Sequence, residues 1–215
     1  MNRSPAPPQR LIAIIGIDGA GKSTQIAAVR DELARCGHQV SMLPNESLAP
    51  LWERLDEVAA PSGEDVEEFL GMDAIQLVAS SVKWFGLMRG RRELAGTAGV
   101  ILADRYSYCQ IAAAQRAGDR TRTAIENLYL DFPAPDACVW LDVAPKDAIR
   151  RLQRRGDRFA TLEFLRAHRR GYARLAAGHE FIVVDGSSPA ADVTTSIMRE
   201  LGAALPELFT AATVG

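Results

Sequence analysis

One eight-residue segment constrains the fold of this chain more than any other part of the sequence. Gly16-Ile-Asp-Gly-Ala-Gly-Lys-Ser23 has the spacing GxxxxGK followed by Ser. The apolar run before it, residues 11–15, predicts a buried strand, and residues 25–35 carry Ile26, Val29 and Leu33 at helical spacing. A strand, a glycine-rich loop and a helix in this order are typical of α/β proteins built on a parallel sheet.

The residue types in this segment suit it to binding phosphate. Glycines let successive backbone N–H groups turn inward around phosphate oxygens, and the N-terminus of the following helix favours negative charge. We expect Lys22 to reach the outer phosphates of a nucleoside triphosphate and the Ser23 hydroxyl to bind the accompanying Mg²⁺. The residues expected to contact the triphosphate are Gly16, Asp18, Gly19, Ala20, Gly21, Lys22, Ser23 and Thr24.

The rest of the chain repeats the alternation of strand and helix. Further strands are predicted at 38–43, 99–103, 137–143 and 180–184. Helices are predicted at 48–94 (interrupted near 60–63 and at Gly71), 107–117, 121–130, from Pro145 onward, 161–177 and 190–201. The predicted fold class is therefore α/β, a P-loop NTPase three-layer αβα sandwich with a five-stranded parallel sheet. A single domain is expected over 10–205, with a disordered arm at 1–9 and a tail at 206–215.

Composition limits the possible partners and the compartment. The longest strongly apolar stretch, 11–15, is far shorter than the roughly 18 residues of a membrane span, so no membrane insertion is expected. The formal net charge of −2 gives no overall field that would attract nucleic acid. The three cysteines are widely spaced and without a CxxC pair, which is typical of reduced thiols in a cytoplasmic protein.

A second candidate site follows the third predicted strand, where Asp104-Arg105-Tyr106 ends a buried run. In this topology it can lie beside the glycine loop, so Asp104 is a candidate Mg²⁺ ligand and Arg105 a candidate clamp for a second anion. None of the asparagines begins the Asn-Lys-x-Asp of a guanine site, and no strand ends in the Asp-Glu pair of motor ATPases. These residues leave a kinase as the main hypothesis and a nucleotide-binding switch as an alternative.

Several segments together resemble the thymidylate kinase family in order and spacing across most of residues 10–200. They are Gly16 to Gln25, Asp104-Arg105-Tyr106, Pro135 to Val143, Asp157-Arg158-Phe159, Glu163-Phe164 with Gly171-Tyr172, and Val183 to Gly186. The resemblance implies a nucleoside monophosphate kinase fold with a helical lid and transfer of the γ-phosphoryl group of ATP, with Mg²⁺, onto a nucleoside monophosphate. The expected reaction is dTMP to dTDP. A homodimer is implied by the resemblance alone.

The expected lid, about 150–160, is rich in arginine. Arg150, Arg151, Arg154, Arg155 and Arg158 repel one another unless anions bind, and such charge suits a phosphoryl-transfer site. In the family, members with Gly after the acid of the glycine loop carry the catalytic arginine in the lid, and Asp18-Gly19 fits this pattern. The resemblance therefore implies catalytic roles for Arg151, Arg155 and Arg158, together with Lys22, Asp104 and Arg105.

The chain departs from the family in the acceptor region, about 44–95. Leu43-Pro-Asn-Glu-Ser47 replaces the usual Arg-Glu-Pro-Gly, and Ala79 and Lys83 stand where the family has phenylalanine and arginine. Ala113 stands near the position of a sugar-facing tyrosine, and Trp84 or Phe85 are candidates for stacking on the base. The residues expected to contact the acceptor are Asp18, Lys83, Trp84, Arg105, Tyr106 and Gln110. Another nucleotide, or a nucleoside hydroxyl deprotonated by Asp104, remains an alternative acceptor.

Overall fold

Five parallel strands form the centre of the protein. The computed structural model describes residues 9–156 and 160–209. The strands are β1 (Arg10–Ile15), β2 (Val40–Leu43), β3 (Val100–Asp104), β4 (Ala137–Asp142) and β5 (Ile182–Asp185). They are ordered β2-β3-β1-β4-β5 with every pairing parallel, which confirms the predicted five-stranded parallel sheet.

Helices lie on both sides of this sheet. They are α1 (Lys22–Arg35), α2 (Ala49–Ala59), α3 (Val66–Glu93), α4 (Ser107–Ala113), α5 (Asp119–Leu128), α6 (Pro145–Arg154), α7 (Leu162–Ala176) and α8 (Ala190–Ala204). Helix α1 packs against α8, and α7 packs against α4 and α6. Within the described ranges, no helix combines the length and the apolar character that crossing a bilayer requires.

Burial explains why the central strands are continuous apolar runs. The side chains of residues 12–15 in β1 are fully buried, as expected for a strand covered by helices on both faces. Edge strand β5 is more open, and Val183 there is 54% exposed. The hydrophobic pattern therefore predicted the bounds of the inner strands more accurately than those of the edge strands. Strand β2 begins at Val40 instead of residue 38, and β5 begins at Ile182 instead of residue 180.

Ordered contacts are present just outside both predicted ends of the domain. Gln9, assigned to the arm, donates hydrogen bonds through Nε2 to the carbonyl oxygens of Leu94 (2.9 Å) and Thr97 (2.7 Å), and residues 1–8 lie outside the described part. The tail predicted from 206 begins with a 3₁₀ helix, Pro206–Leu208, whose Leu208 is buried in the core. Ordered packing therefore continues past residue 205, and 210–215 are outside the described part.

The topology brings the two candidate sites to one edge of the sheet. Strand β1 lies between β3 and β4, and Ile14 pairs in register with Asp104. The Arg105 N–H then donates to the Ile14 carbonyl oxygen at 3.1 Å. The loops that follow β1 and β3 are therefore neighbours at the carboxyl ends of their strands, where ligands bind in open α/β sheets.

Candidate active site

Glycines allow the loop between β1 and α1 to lie close to neighbouring backbone. Gly19 has φ +80°, and a Cβ added there would lie 2.5 Å from the carbonyl oxygen of Ala148 in α6. Gly21 has φ +94° and is the N-cap of α1. Both positions require a backbone that other residues rarely adopt, which leaves the loop shaped by backbone with few side chains.

Lys22 is folded back onto this loop. Its Nζ donates to the carbonyl oxygens of Gly16 (2.9 Å) and Ile17 (2.8 Å) and lies 3.8 Å from Asp18 Oδ1. Burial, followed by the positive charge of Arg105, lowers the pKa of Lys22 to about 8 despite the attraction of Asp18. The loop therefore holds a buried cation whose charge an incoming anion would stabilise.

Asp18 and Arg105 form an ion pair that joins the two candidate sites. Burial opposes the charge on Asp18, but Arg105 and Lys22 outweigh it and hold the pKa of the carboxyl far below its ordinary value. Burial likewise opposes the charge on Arg105, whose pKa is nevertheless raised because Asp18 lies against it. Both groups are therefore charged at neutral pH.

Arg105 also has an unusual backbone. Its φ is +74°, and it is the one non-glycine residue with positive φ in the part of the chain that the structure describes. The left-handed conformation costs a non-glycine residue roughly 1–2 kcal/mol. Such strain at a charged residue beside a phosphate-type loop is typical of functional positions.

Asp104 ends β3 next to this pair. Its Oδ1 is buried and accepts no hydrogen bond from any group in residues 9–156 and 160–209. A buried carboxylate oxygen without a donor is rare, because the desolvation of the charged group is then uncompensated. The atom is thus available to a cation or to a water molecule bound to one. Ser23, the other predicted metal ligand, lies in the first turn of α1 with an exposed side chain.

A cavity of about 420 Å³ opens beside the Asp18–Arg105 pair. Helices α2, α3, α4 and α7 supply most of its wall. Its lining includes Asp18, Trp52, Glu67, Gln76, Ala79, Lys83, Arg105, Cys109, Gln110, Ala113, Arg116, Phe164 and His168. Four predicted acceptor contacts, Asp18, Lys83, Arg105 and Gln110, therefore meet in one cavity.

Lys83 is held in place by the segment that departs from the family pattern. Its Nζ donates to Asn45 Oδ1 at 2.6 Å and to the carbonyl oxygen of Glu46. This segment packs directly on α3, since a Cβ added at Gly86 would lie 2.7 Å from Glu46 Cγ. Burial and the charge of Arg105 lower the pKa of Lys83 to about 8. Lys83 thus presents a titratable cation near Arg105.

Two predicted acceptor contacts lie elsewhere. Trp84 does not line the cavity, and its ring instead packs edge-on against Phe132 with centroids 6.4 Å apart. The alternative, Phe85, is 70% exposed and also outside the lining. Tyr106 is buried and its hydroxyl donates to the Pro133 carbonyl oxygen at 3.0 Å, so it borders only a narrow cleft near Lys83. The structure therefore shows packing contacts for Trp84 and Tyr106, and their contacts with the acceptor stay a prediction.

Other aromatic groups that the sequence reading missed occupy the cavity wall. Trp52 comes from α2, and Phe164 and His168 come from α7. Arg116 lies over the Phe164 ring, 5.5 Å from its centroid, and pairs with Glu67 through two 3.0 Å contacts. Glu163-Phe164 was part of the family resemblance, which was the one signal for Phe164; nothing in the sequence pattern marked His168.

The arginines of the expected lid differ in their contacts and exposure. Arg151 donates to the Gly186 carbonyl oxygen at 3.1 Å and approaches the Gly19 carbonyl oxygen at 3.4 Å. Arg151 and Arg155 line a second cavity, of about 190 Å³, with Ala20, Gly21 and Thr24. Arg150 pairs with Asp147, and Arg154 is exposed in the last turn of α6. Arg158 lies outside the described residues.

Known proteins match this chain over most of its length. The family model for thymidylate kinase matches residues 14–197. A probable thymidylate kinase of Sulfurisphaera tokodaii is 32% identical over 196 residues, covering 88% of this chain and 94% of the relative. The thymidylate kinase of Idiomarina loihiensis is 30% identical over 206 residues, covering 89% and 96%.

A solved structure supports the fold independently. The deoxyadenosine kinase from M. mycoides, with dCMP and a flexible dCDP bound, superposes with a TM-score of 0.65 and 20% identity, covering 90% of this chain and 99% of that one. At this identity the likeness concerns the fold alone. The family match over most of the chain, and relatives aligned across nearly their full length, show that the chain belongs to the thymidylate kinase family.

Proposed function

We propose that this protein transfers the γ-phosphoryl group of ATP to dTMP, giving ADP and dTDP. One observation carries the proposal: the Asp18–Arg105 pair connects the loop that holds Lys22 to a cavity lined by two further cations, Lys83 and Arg116. A donor triphosphate and an anionic acceptor can thus meet at one edge of the sheet. The family relatives supply the identity of the acceptor.

ATP fits the loop and the smaller cavity. Backbone N–H groups of residues 16–21 and the N-terminus of α1 would hold its phosphates, with Lys22 at the outer ones. The 190 Å³ cavity continues from the loop past Thr24, Arg151 and Arg155, so two guanidinium groups would lie beside a nucleotide bound there. We assign Arg151 and Arg155 to neutralising charge on the transferred group, and extend this to Arg158 from the family pattern.

One residue at the start of α1 and one at the end of β3 fit Mg²⁺. Ser23 and Asp104 would hold it, and the unpartnered Oδ1 of Asp104 is the kind of oxygen ligand that Mg²⁺ binds directly or through water. When bound, the ion neutralises phosphate charge and orients the phosphate oxygens.

The chain's own residues then carry out positioning and charge neutralisation. A monophosphate acceptor arrives ionised and needs no base, so Arg105 and Lys83 orient its phosphate toward the donor while Lys22 stabilises charge on the moving group. Gln110 and Cys109 face the same cavity and are assigned to contacts with the nucleoside. Segment 150–160 would close over ATP as a lid.

We also propose a homodimer and a cytoplasmic location. Light scattering would test the first and cell fractionation the second.

The test is an ATP-consumption panel with common nucleosides and with ribo- and deoxyribonucleoside monophosphates. We expect dTMP to be the best acceptor, with turnover that requires Mg²⁺ and disappears with EDTA. Phosphorylation of nucleosides with inert monophosphates would replace this proposal with a nucleoside kinase. ATP binding without transfer to any acceptor would favour a nucleotide-binding switch.

We also predict that kcat/KM for dTMP depends on pH through the charge of Lys83. At saturating Mg·ATP, kcat/KM for dTMP should fall as pH rises through about 8, because the pKa of Lys83 is about 8 and deprotonation removes its charge. The acceptor phosphate is already fully ionised there, since its second pKa is roughly 6. Negative charge on a bound triphosphate would favour the protonated form of Lys22, so the break in the profile should not come from that residue.

Lys83→Arg is the matched variant for this profile. Its guanidinium stays charged throughout, so the fall above pH 8 should disappear. The measurement is kcat/KM between pH 6.5 and 9.5 for both proteins. An unchanged break in the arginine variant would show that another group is responsible.

A further inference from the structure

His168 is a buried group in the acceptor cavity whose hydrogen bonding is incomplete. It lies in α7, is 4% exposed, and lines the 420 Å³ cavity. Its Nε2 is 3.2 Å from the carbonyl oxygen of Cys109. Because a carbonyl oxygen can only accept, Nε2 carries the proton, and the lone pair of the neutral ring is on Nδ1.

Nδ1 is therefore an acceptor without a donor. It is buried, and no group in the part of the chain that the structure describes donates to it. Burial and the positive charges of Arg105 and Lys22 lower the pKa of His168 to about 4, with Asp18 opposing them only in part. The ring thus stays neutral near pH 7. A buried acceptor that lacks a donor in the protein is a place for a donor on a ligand.

The position of His168 along α7 indicates which part of a nucleotide it would meet. Phe164, His168 and Tyr172 follow one another at intervals of four residues, with His168 stacked on Tyr172 at 4.8 Å and tilted against Phe164 at 5.4 Å. The Tyr172 hydroxyl donates to the Gly16 carbonyl oxygen of the glycine loop at 3.3 Å. His168 therefore lies one helical turn from Tyr172, which contacts the glycine loop, and one turn in the other direction from Phe164, the outermost of the three rings.

That intermediate level corresponds to the sugar of a bound nucleoside monophosphate. Its phosphate would lie at Arg105 and Lys83, and an aromatic base would be drawn to the ring of Phe164. The sugar, whose hydroxyl groups are its hydrogen-bond donors, would lie between them. Ala79 and Ala113 also line the cavity with side chains of a single methyl group, so they leave room in it for a ligand.

We propose that Nδ1 of His168 accepts a hydrogen bond from a sugar hydroxyl of the acceptor nucleotide and thereby selects acceptors that carry it. The inference rests on the proposed function, because it takes the 420 Å³ cavity as the acceptor site. It makes His168 a specificity-determining residue that touches substrate.

The experiment uses three acceptors with the same base: dTMP, ribothymidine 5′-monophosphate and 3′-deoxythymidine 5′-monophosphate. Each is tested with the wild-type enzyme, His168→Phe, which keeps a ring in the stack but removes the acceptor, and His168→Asn, whose amide oxygen restores one. We expect the wild-type protein to prefer dTMP over the 3′-deoxy compound by about tenfold in kcat/KM, as for loss of one buried hydrogen bond. The preference should fall to less than about twofold in His168→Phe and recover in part in His168→Asn.

The ribonucleotide distinguishes the two hydroxyls. If the 2′-hydroxyl is the donor, the wild-type enzyme prefers ribothymidine monophosphate and His168→Phe loses that preference. If His168→Phe changes kcat/KM for all three acceptors by one common factor, the residue acts through packing and the inference is wrong.

Binding measurements separate this result from failure of the proposed function. Calorimetric dissociation constants for the same compounds give the same ratios without turnover, and the ¹⁵N shift of His168 Nδ1 should change on adding dTMP but not 3′-deoxy-dTMP. Turnover of dTMP with no His168-dependent ratio contradicts only the inference. Absence of both turnover and binding for all three nucleotides contradicts the proposed function and the inference together.

Discussion

Replacing Lys22 with methionine should lower kcat by about a thousandfold, the scale expected when a transition state loses one preorganised charge-stabilising donor. Nζ is already held at the loop by the carbonyl oxygens of Gly16 and Ile17, so it needs little reorganisation to meet a phosphate. Methionine retains most of the aliphatic volume and removes the charge. The measurement is single-turnover transfer from γ-labelled ATP to dTMP.

The folded state should survive this change. The lowered pKa of Lys22 means that its charged form is disfavoured by burial, so removing the charge also removes a desolvation cost. Gly16 O keeps the hydroxyl of Tyr172 as a donor. Lys146, exposed in α6, is the matched control, and Lys146→Met should leave kcat unchanged. If Lys22→Met retains kcat within tenfold of wild type, Lys22 does not stabilise the transferred group.

The features that sequence reading predicted well are those in which one local pattern determines the backbone. Strand β1, its glycine loop and α1 follow directly from an apolar run, the GxxxxGK spacing and a helical period. The neighbouring position of Asp104 and Arg105 follows because parallel strands end at the same edge of the sheet. Local pattern and sheet topology together were sufficient here.

The acceptor cavity was harder because its walls come from four separate helices. Trp84 lies one residue after Lys83 in α3, but a helix turns by about 100° per residue, so the two side chains point in different directions. Trp84 packs toward Phe132, while Lys83 and Ala79, four residues apart, share the cavity. One aromatic group of the cavity, Phe164, is more than 80 positions from Lys83 in the sequence, and the packing of α7 against α4 and α6 brings it there.

Two substitutions of Arg105 should have the same effect on activity but different effects on stability. Arg105→Ala and Arg105→Gly should each lower kcat/KM for dTMP by about a thousandfold or more, since both remove the guanidinium that joins Asp18 to the acceptor cavity. Arg199, which is exposed in α8 and pairs with its neighbour Glu200, is the matched control. Arg199→Ala should retain full activity. Near-wild-type turnover in either Arg105 variant would contradict its role as the acceptor clamp.

The two Arg105 variants should nevertheless differ in stability, because position 105 has φ +74°. Alanine keeps the cost of a left-handed backbone and glycine does not, so Arg105→Gly should unfold with a free energy about 1 kcal/mol higher than Arg105→Ala. Loss of the partner of Asp18 affects both variants equally and cancels in the comparison. The measurement is urea denaturation of both proteins under identical conditions. Glycine loses more backbone entropy on folding than alanine does, by roughly 0.5–1 kcal/mol. Equal free energies of unfolding would therefore show that the backbone strain at position 105 is no larger than this entropy, and would contradict the predicted difference.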